Sequence, residues 1–513
     1  MIIARSKLFW FCLFAFSAIA FADDFELPDL PEPPQASTEP TSDAIKESAT
    51  VEELPVKEAV KDAPKDASKD VAKDAAKDAP KNAAKDVPAK NVSKDVSKDV
   101  SKDAPEQSDY DAPVNFAPIE ATTLSESKTE QPSSNPPRQQ GSKAIVPKKI
   151  PEELNRPLQV GVFIGVKELY LKLEGETIHM TAAGNKVKFQ GKENSATLDH
   201  KEIHGEGKCV SIAPTLRELS TSCYPGHFYV SANKGLVNAV NIVDVEDYLR
   251  GVVPYEIGKL DNSRFSALES QAIAARTYAY KHFGSRESMG FDVYADTKDQ
   301  VYKGLASATP LTDSAVKATR GIVMTYGGQF IIAYYHSTCG GETETLATWE
   351  RPNLPYLQSR PDLRKDGTPW CGESSYSKWE RKFDDKELEA LVRKNGKEAK
   401  AKVPDFKKIK NIAIKDTLAS GRILTLVVET DKGSFEVRGD KVRWLFKKSG
   451  SILPSSFFRI EHKKQEWILT GKGFGHGVGM CQMGVRGRSA AGQDFATILT
   501  HYYPGITLER FEK

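Results

Sequence analysis

Beyond its first two dozen residues the sequence has no apolar run long enough to cross a bilayer, so no membrane span is expected in the mature chain. An excess of one charge sign is missing too. With 72 Lys and Arg against 70 Asp and Glu, the formal net charge is only +2. The basic stripe that nucleic-acid binding requires is therefore not expected, and a neutral or mixed-charge partner is. Cysteine is sparse: six occur in 513 residues, and Cys12 falls in the apolar leader. The remaining five are Cys209, Cys223, Cys339, Cys371 and Cys481, an odd number that leaves at least one thiol outside any disulfide scheme. No His-Glu-x-x-His run is present, so a helical zinc-peptidase site has no support.

What is there begins with Met1-Ile-Ile-Ala-Arg-Ser-Lys7, two positive charges ahead of an apolar stretch from Leu8 to Ile19. This reads as a secretory signal, with Ala20 and Ala22 at the small-residue positions before Asp23. Residues 1–22 are expected to be removed and the rest exported, to a periplasm or cell envelope, where some cysteine pairing is favoured. Residues 23–150 are rich in Pro, Ser, Ala, Asp and Lys and almost bare of large apolar side chains. Such a stretch cannot bury enough surface to offset its ordering entropy. Part of it repeats a four-residue unit, as in Lys94-Asp-Val-Ser-Lys-Asp-Val-Ser101, whose period drifts around a 3.6-residue helix and never gathers an apolar stripe. The expectation is a long disordered linker, acting as a hydrated spacer.

Foldable sequence starts near Pro157, where alternating, β-branched runs such as Gln159-Val-Gly-Val-Phe-Ile-Gly165 predict strands. Residues 151–237 read as a β-rich lead-in and 238–513 as the main domain. In the latter, Asn241 to Arg250 predicts a short helix stopped at Gly251, followed by a loop carrying Pro254 and Glu256. A stronger helix follows, opened by the capping-box spacing of Ser266 and Glu269. Glu246 and Asp247 read as solvated. Gly327-Gly328 between two β-prone runs predicts a hairpin over 319–336. A helix from Asp385 to about Lys394, strands over 409–460 and a last helix from about Asp494 to Tyr503 complete an α+β pattern without regular strand–helix alternation.

Gly471-Lys-Gly-Phe-Gly-His-Gly-Val-Gly-Met480 places glycine at every second position. If extended, it would put Lys472, Phe474, His476, Val478 and Met480 on one face and bare backbone on the other. Either His476 lines a cleft, or the glycines serve tight packing alone.

Five segments, in order, resemble the SpoIID/LytB family. They are Val245-Glu-Asp-Tyr-Leu-Arg-Gly-Val-Val-Pro-Tyr-Glu256, Gln271-Ala-Ile-Ala-Ala-Arg-Thr-Tyr278, Gln300-Val-Tyr-Lys-Gly304, Tyr335-His-Ser-Thr-Cys-Gly-Gly341 and Gly473-Phe-Gly-His-Gly-Val-Gly-Met-Cys-Gln482. Ile498 to Gly505 continues the likeness, which spans about residues 238–510. Two positions depart from the pattern. Ile257-Gly258 stands where the family has Met-Pro, and Cys481 stands where serine is commoner.

The resemblance implies a SpoIID-like fold and lytic cleavage of peptidoglycan glycan, usually of strands already stripped of peptides by an N-acetylmuramoyl-L-alanine amidase. It makes Glu256 the catalytic acid. The non-enzymatic alternative within the family is an amidase enhancer or peptidoglycan-binding protein. Arg276, Tyr278, Tyr302, His336, His476 and Gln482 lie in matching segments and are candidate sugar contacts, guanidinium suiting a carboxylate and aromatics suiting ring faces. Relatives with a structural metal in this region make His336 and Cys339 candidate zinc ligands, with Cys371 a third. A Cys339–Cys371 disulfide is the plainer expectation, and no cofactor is required. Cys209 and Cys223 are candidates for a local pair.

Overall fold

The computed structural model describes residues 147–512 except 194, 206 and 208; the expected signal and the linker up to residue 146 lie outside the described residues. The first described residues, Pro147–Lys149, form a strand parallel to Thr507–Glu512, so both ends of the described chain meet in one sheet with Ile322–Tyr326.

The lead-in folds as two five-stranded sheets. One runs Val293–Tyr294, Leu158–Val166, Leu236–Val243, His227–Asn233, His200–His204 in spatial order. The other contains Glu168–Leu173 and Glu176–Ala183 at its centre. Their period-two patterning is the cause: in Glu168–Leu173, Leu169 and Leu171 are buried while Glu168 and Lys172 are exposed. Strand Leu236–Val243 spans the 237/238 position, so the lead-in and the main domain share one sheet and one hydrophobic core. Cys209 and Cys223 are disulfide-bonded, as their spacing allowed.

The centre of the main domain is the helix Phe265–Lys281. It is buried almost all round, and its five internal alanines, Ala267, Ala272, Ala274, Ala275 and Ala279, explain how: small side chains let neighbours approach from several sides. Those neighbours are the helices Val245–Glu256, Pro310–Ala318, Gln482–Ala490 and Phe495–Tyr502 and the strand Ile322–Tyr326. The expected capping box at Ser266 is not the start, because the helix begins at Phe265 and no side chain caps it. A capping box occurs instead at Thr309 and Thr312, ahead of Pro310–Ala318. The hairpin forms around Gly327 and Gly328, both at positive φ, but its second strand is only Gln329–Phe330.

A second hydrophobic core, built on Trp379, Phe383, Leu426, Phe446, Trp467 and their neighbours, gathers residues 379–469. It contains the helix Asp385–Asn395 and two three-stranded sheets. No helix among the described residues is long and apolar enough to cross a membrane.

Candidate functional site

Asp244 opens the Val245–Glu256 helix, its carboxylate accepting the Glu246 N–H. The helix does not stop at Gly251, as the sequence suggested. That glycine is needed because a Cβ there would lie 2.5 Å from the Tyr302 ring. The chain continues helically through Pro254 and ends on Glu256, so the acid occupies a helix C-terminus rather than a loop.

Glu256 keeps partial exposure, but its carboxyl is closely surrounded. Oε1 accepts the Val301 N–H at 2.7 Å, and Oε2 lies 3.4 Å from Gln482 Nε2. Burial pushes its pKa up to about 7, against the opposing pull of the Val301, Gln482 and Tyr335 hydrogen bonds. The carboxyl thus exchanges its proton near neutrality.

A fixed chain of donors stands behind it. Tyr248 donates to Gln300 Oε1 at 3.1 Å, which orients the amide so that Nε2 donates to the Tyr335 hydroxyl at 3.1 Å. The Tyr335 hydrogen is then left for Glu256. Burial holds the Tyr335 phenol well above its ordinary pKa, so it stays a donor. In a Tyr335→Phe variant the Glu256 titration, followed by carboxyl NMR, is expected to move to higher pH because a bond favouring the carboxylate is gone. An unchanged or lower midpoint would show that the phenol does not reach the acid.

The glycine ribbon is not an extended strand. Gly473, Gly475, Gly477 and Gly479 all have positive φ, and a Cβ at Gly477 would meet the Arg422 guanidinium at 2.4 Å while one at Gly479 would meet the Tyr334 carbonyl at 2.1 Å. The winding leaves Phe474 and His476 partly exposed and buries Val478 and Met480. Val478 N–H donates to His476 Nδ1, which places the proton on Nε2, donating to the Tyr335 carbonyl at 3.1 Å. Tyr335 therefore links Glu256, through its phenol, to His476, through its backbone. Trp349 packs on His476 with ring centroids 4.8 Å apart.

Of the residues expected at the site, Glu256, Gln482 and His476 are brought together around Tyr335. His336 is buried; its Nδ1 lies 3.2 Å from the Val478 carbonyl, and burial lowers its pKa so that it is neutral. Arg276 is elsewhere. It is fully buried, its guanidinium bonded to Glu246 at 2.8 and 2.7 Å and to the Ile322 and Val316 carbonyls. No donor is left over for a sugar, and Glu246 is its partner rather than a solvated surface acid. Tyr278 donates to Asp299 and Tyr302 to Asn241, both from the core. Tyr335, Gln300, Trp349 and Gln271, whose Oε1 lies 3.4 Å from Gln482 Nε2, were not singled out from sequence. Three of them sat unremarked inside matching segments; nothing local marked Trp349.

The expected Cys339–Cys371 disulfide is absent. Their sulfurs lie 3.6 Å apart as thiols, and the reason is a third member: Cys339, Cys371 and Cys481 are all buried, with ligand atoms within 4.8 Å of one another. His336 is not part of this group. Cys481 accepts the Cys339 N–H, and the Cys339 thiol points to Asp362, itself paired with Arg488. Hydrogen bonds from the other two thiols pull Cys371 well below the ordinary thiol pKa.

Residues 233–326 match the family model described as Stage II sporulation protein (SpoIID), a segment that contains Glu256 and Gln300. Two relatives agree with it. A Stage II sporulation protein D of Bacillus amyloliquefaciens is 26% identical over 338 residues, 62% of this chain and 89% of that protein. An amidase enhancer of Bacillus subtilis is 28% identical over 296 residues, 51% of this chain but only 40% of that protein. The chain belongs to the SpoIID/LytB family. An uncharacterized protein of Brachyspira hyodysenteriae is also similar, at 28% identity over 293 residues, 56% of this chain and 73% of that protein. Within this SpoIID/LytB protein, residues 371–479 match a separate model, a domain of unknown function (DUF8618), and that range encloses the second hydrophobic core.

Proposed function

We propose that this exported SpoIID/LytB protein is a lytic transglycosylase of peptidoglycan, acting on glycan strands freed of stem peptides. The observation that carries the reading is the crowded Glu256 carboxyl, poised at about 7 with a backbone donor on one oxygen. With Oε1 held by Val301, the acid proton belongs on Oε2. It passes to the glycosidic oxygen as that bond breaks and positive charge grows on the muramoyl ring. The resulting carboxylate, stabilised by Val301, Gln482 and Tyr335, takes the proton from the same sugar's primary hydroxyl, which closes on the anomeric carbon. The nucleophile is the substrate's own, so the paired carboxylates of hydrolytic glycosidases are not required.

The Bacillus subtilis amidase enhancer supports a second reading, in which the same surface binds glycan and assists an N-acetylmuramoyl-L-alanine amidase. Incubating the exported chain with intact and amidase-treated sacculi, followed by mass analysis of released sugars, separates the two. Anhydro-ended fragments from treated sacculi are expected. Strand binding and faster amidase action without such ends would establish the enhancer instead.

The thiol trio fits a structural zinc. Three buried sulfurs converge, and the donor set is the soft one zinc favours. Cys339, Cys371 and Cys481 would hold the ion and tie the Tyr335–Gly341 segment to the ribbon. Elemental analysis is expected to find one zinc per chain, lost in Cys481→Ser. Thiol titration after unfolding should count three free thiols; a count of one, with no metal, would restore the Cys339–Cys371 disulfide.

A further inference from the structure

Charge in this chain is segregated. Residues 371–479 carry 24 Lys and Arg against 15 Asp and Glu, a net of +9 in a chain whose total is +2. Much of the excess lies in one stretch, where residues 393–410 hold eight cations and two acids. All eight cations are exposed, on the end of the Asp385–Asn395 helix, the following loop and the start of strand Ile409–Thr417. The nearby acids are largely engaged. Glu398 pairs with Lys447, Asp431 accepts the N–H groups of Lys407 and Lys408, and Glu389 accepts that of Ile409. Among the described residues none of the eight has an ion pair, so the patch attracts an external anion.

The module bearing this patch is rooted at the candidate site. Its chain leaves at Cys371 and returns through the ribbon to Cys481. From within it the fully buried Arg422 donates to the carbonyls of Cys339 and Glu342.

We propose that residues 393–410 form a second glycan-binding surface, which recognises the regularly spaced carboxylates of a peptide-stripped strand. The inference rests on the glycan reading of the site. Removing stem peptides by amide hydrolysis leaves one lactyl carboxylate on each muramoyl residue, so the stripped strand is a linear polyanion. A row of lysines without counterions complements it, while the neutral sugar backbone is left to Glu256 and its neighbours.

Binding is measured by sedimentation or anisotropy on the exported chain carrying Glu256→Gln, so that strands are not consumed. The probes are amidase-stripped strands, the same strands with carboxylates capped as neutral amides, and polyphosphate. Substituting Lys394, Lys397, Lys400, Lys402, Lys407 and Lys408 by Gln is expected to weaken binding of stripped strands at least about tenfold and to flatten its salt dependence. Neutralising Lys167, Lys172, Lys186 and Lys188 of the lead-in, also exposed, should do neither. Capped strands that bind as well as uncapped ones would overturn the proposal, as would equal losses in both lysine sets. Binding of polyphosphate but not of stripped glycan would also overturn it, in favour of a phosphodiester polymer. Absence of anhydro-sugar release by the chain with Glu256 in place, with strand binding and its lysine dependence intact, would sink the transglycosylase reading alone.

Discussion

Replacing Glu256 by Gln is expected to cut the release of anhydro-ended fragments by about 10³-fold while strand binding persists, because one group supplies both proton transfers. The same change is expected to stabilise the fold at alkaline pH. Burial holds the Glu256 pKa at about 7 in the folded protein, against 4.5 for an unburied glutamate. Between those values the native state keeps a proton that the unfolded chain has released, so stability contributed by this group falls as pH rises through the interval. Above it, the wild type carries a crowded charge and the amide does not. Allowing for the partial exposure of Glu256, the Gln variant should gain about 1–3 kcal/mol in urea unfolding at pH 8, shrinking to nothing near pH 4. A variant that keeps turnover would remove Glu256 from the chemistry. One that gains nothing at pH 8 would mean that its carboxyl is freely hydrated. In turnover, activity that needs the protonated acid should decline as pH rises through about 7.

The second large effect concerns Arg276. As a sugar contact it would alter KM and leave stability alone. The structure makes the opposite forecast: Arg276→Met leaves Glu246 without its partner and strips two carbonyls of their donors, at an expected cost of about 3–5 kcal/mol. Adding Glu246→Gln should recover part of that loss, because the unpaired carboxylate is gone. Calorimetric unfolding of the three proteins checks this. A Tm unchanged in Arg276→Met would contradict the burial.

Elements with strong local signals were legible in the sequence. The hairpin at Gly327-Gly328, the helix Asp385–Asn395 and the alternating strands of the lead-in formed where turn chemistry and periodicity placed them. Errors arose where tertiary contact overruled local preference. Gly251 looked like a helix stop, but its missing side chain makes room for Tyr302. Every-second-residue glycine looked like a strand, yet close approach of Arg422 and Tyr334 imposes positive φ instead. Strand Thr507–Glu512 and helix Gln482–Ala490 were missed, the second because Gly484 and Gly487 are poor helix formers kept there by the nearness of Asp362, Tyr502 and Trp370.

For the site, the resemblance named segments that the fold brings side by side, but not what each residue touches. Arg276 and Tyr335 sat in equally good matches. Only the fold distinguishes a guanidinium locked beneath a helix from a phenol turned toward the acid. The thiol trio was out of reach for a different reason. Cys339 and Cys481 are 142 positions apart, and no spacing rule links such distant thiols.

The short gap between Cys371 and Cys481 also makes a permissive graft point. A foreign module with neighbouring termini could be exchanged for residues 379–469, the second hydrophobic core, while Cys371 and the ribbon stay in place. Such a swap must replace Arg422, the fully buried cation that reaches the Cys339 and Glu342 carbonyls. A graft lacking that cation would leave two carbonyls bare beneath the ribbon.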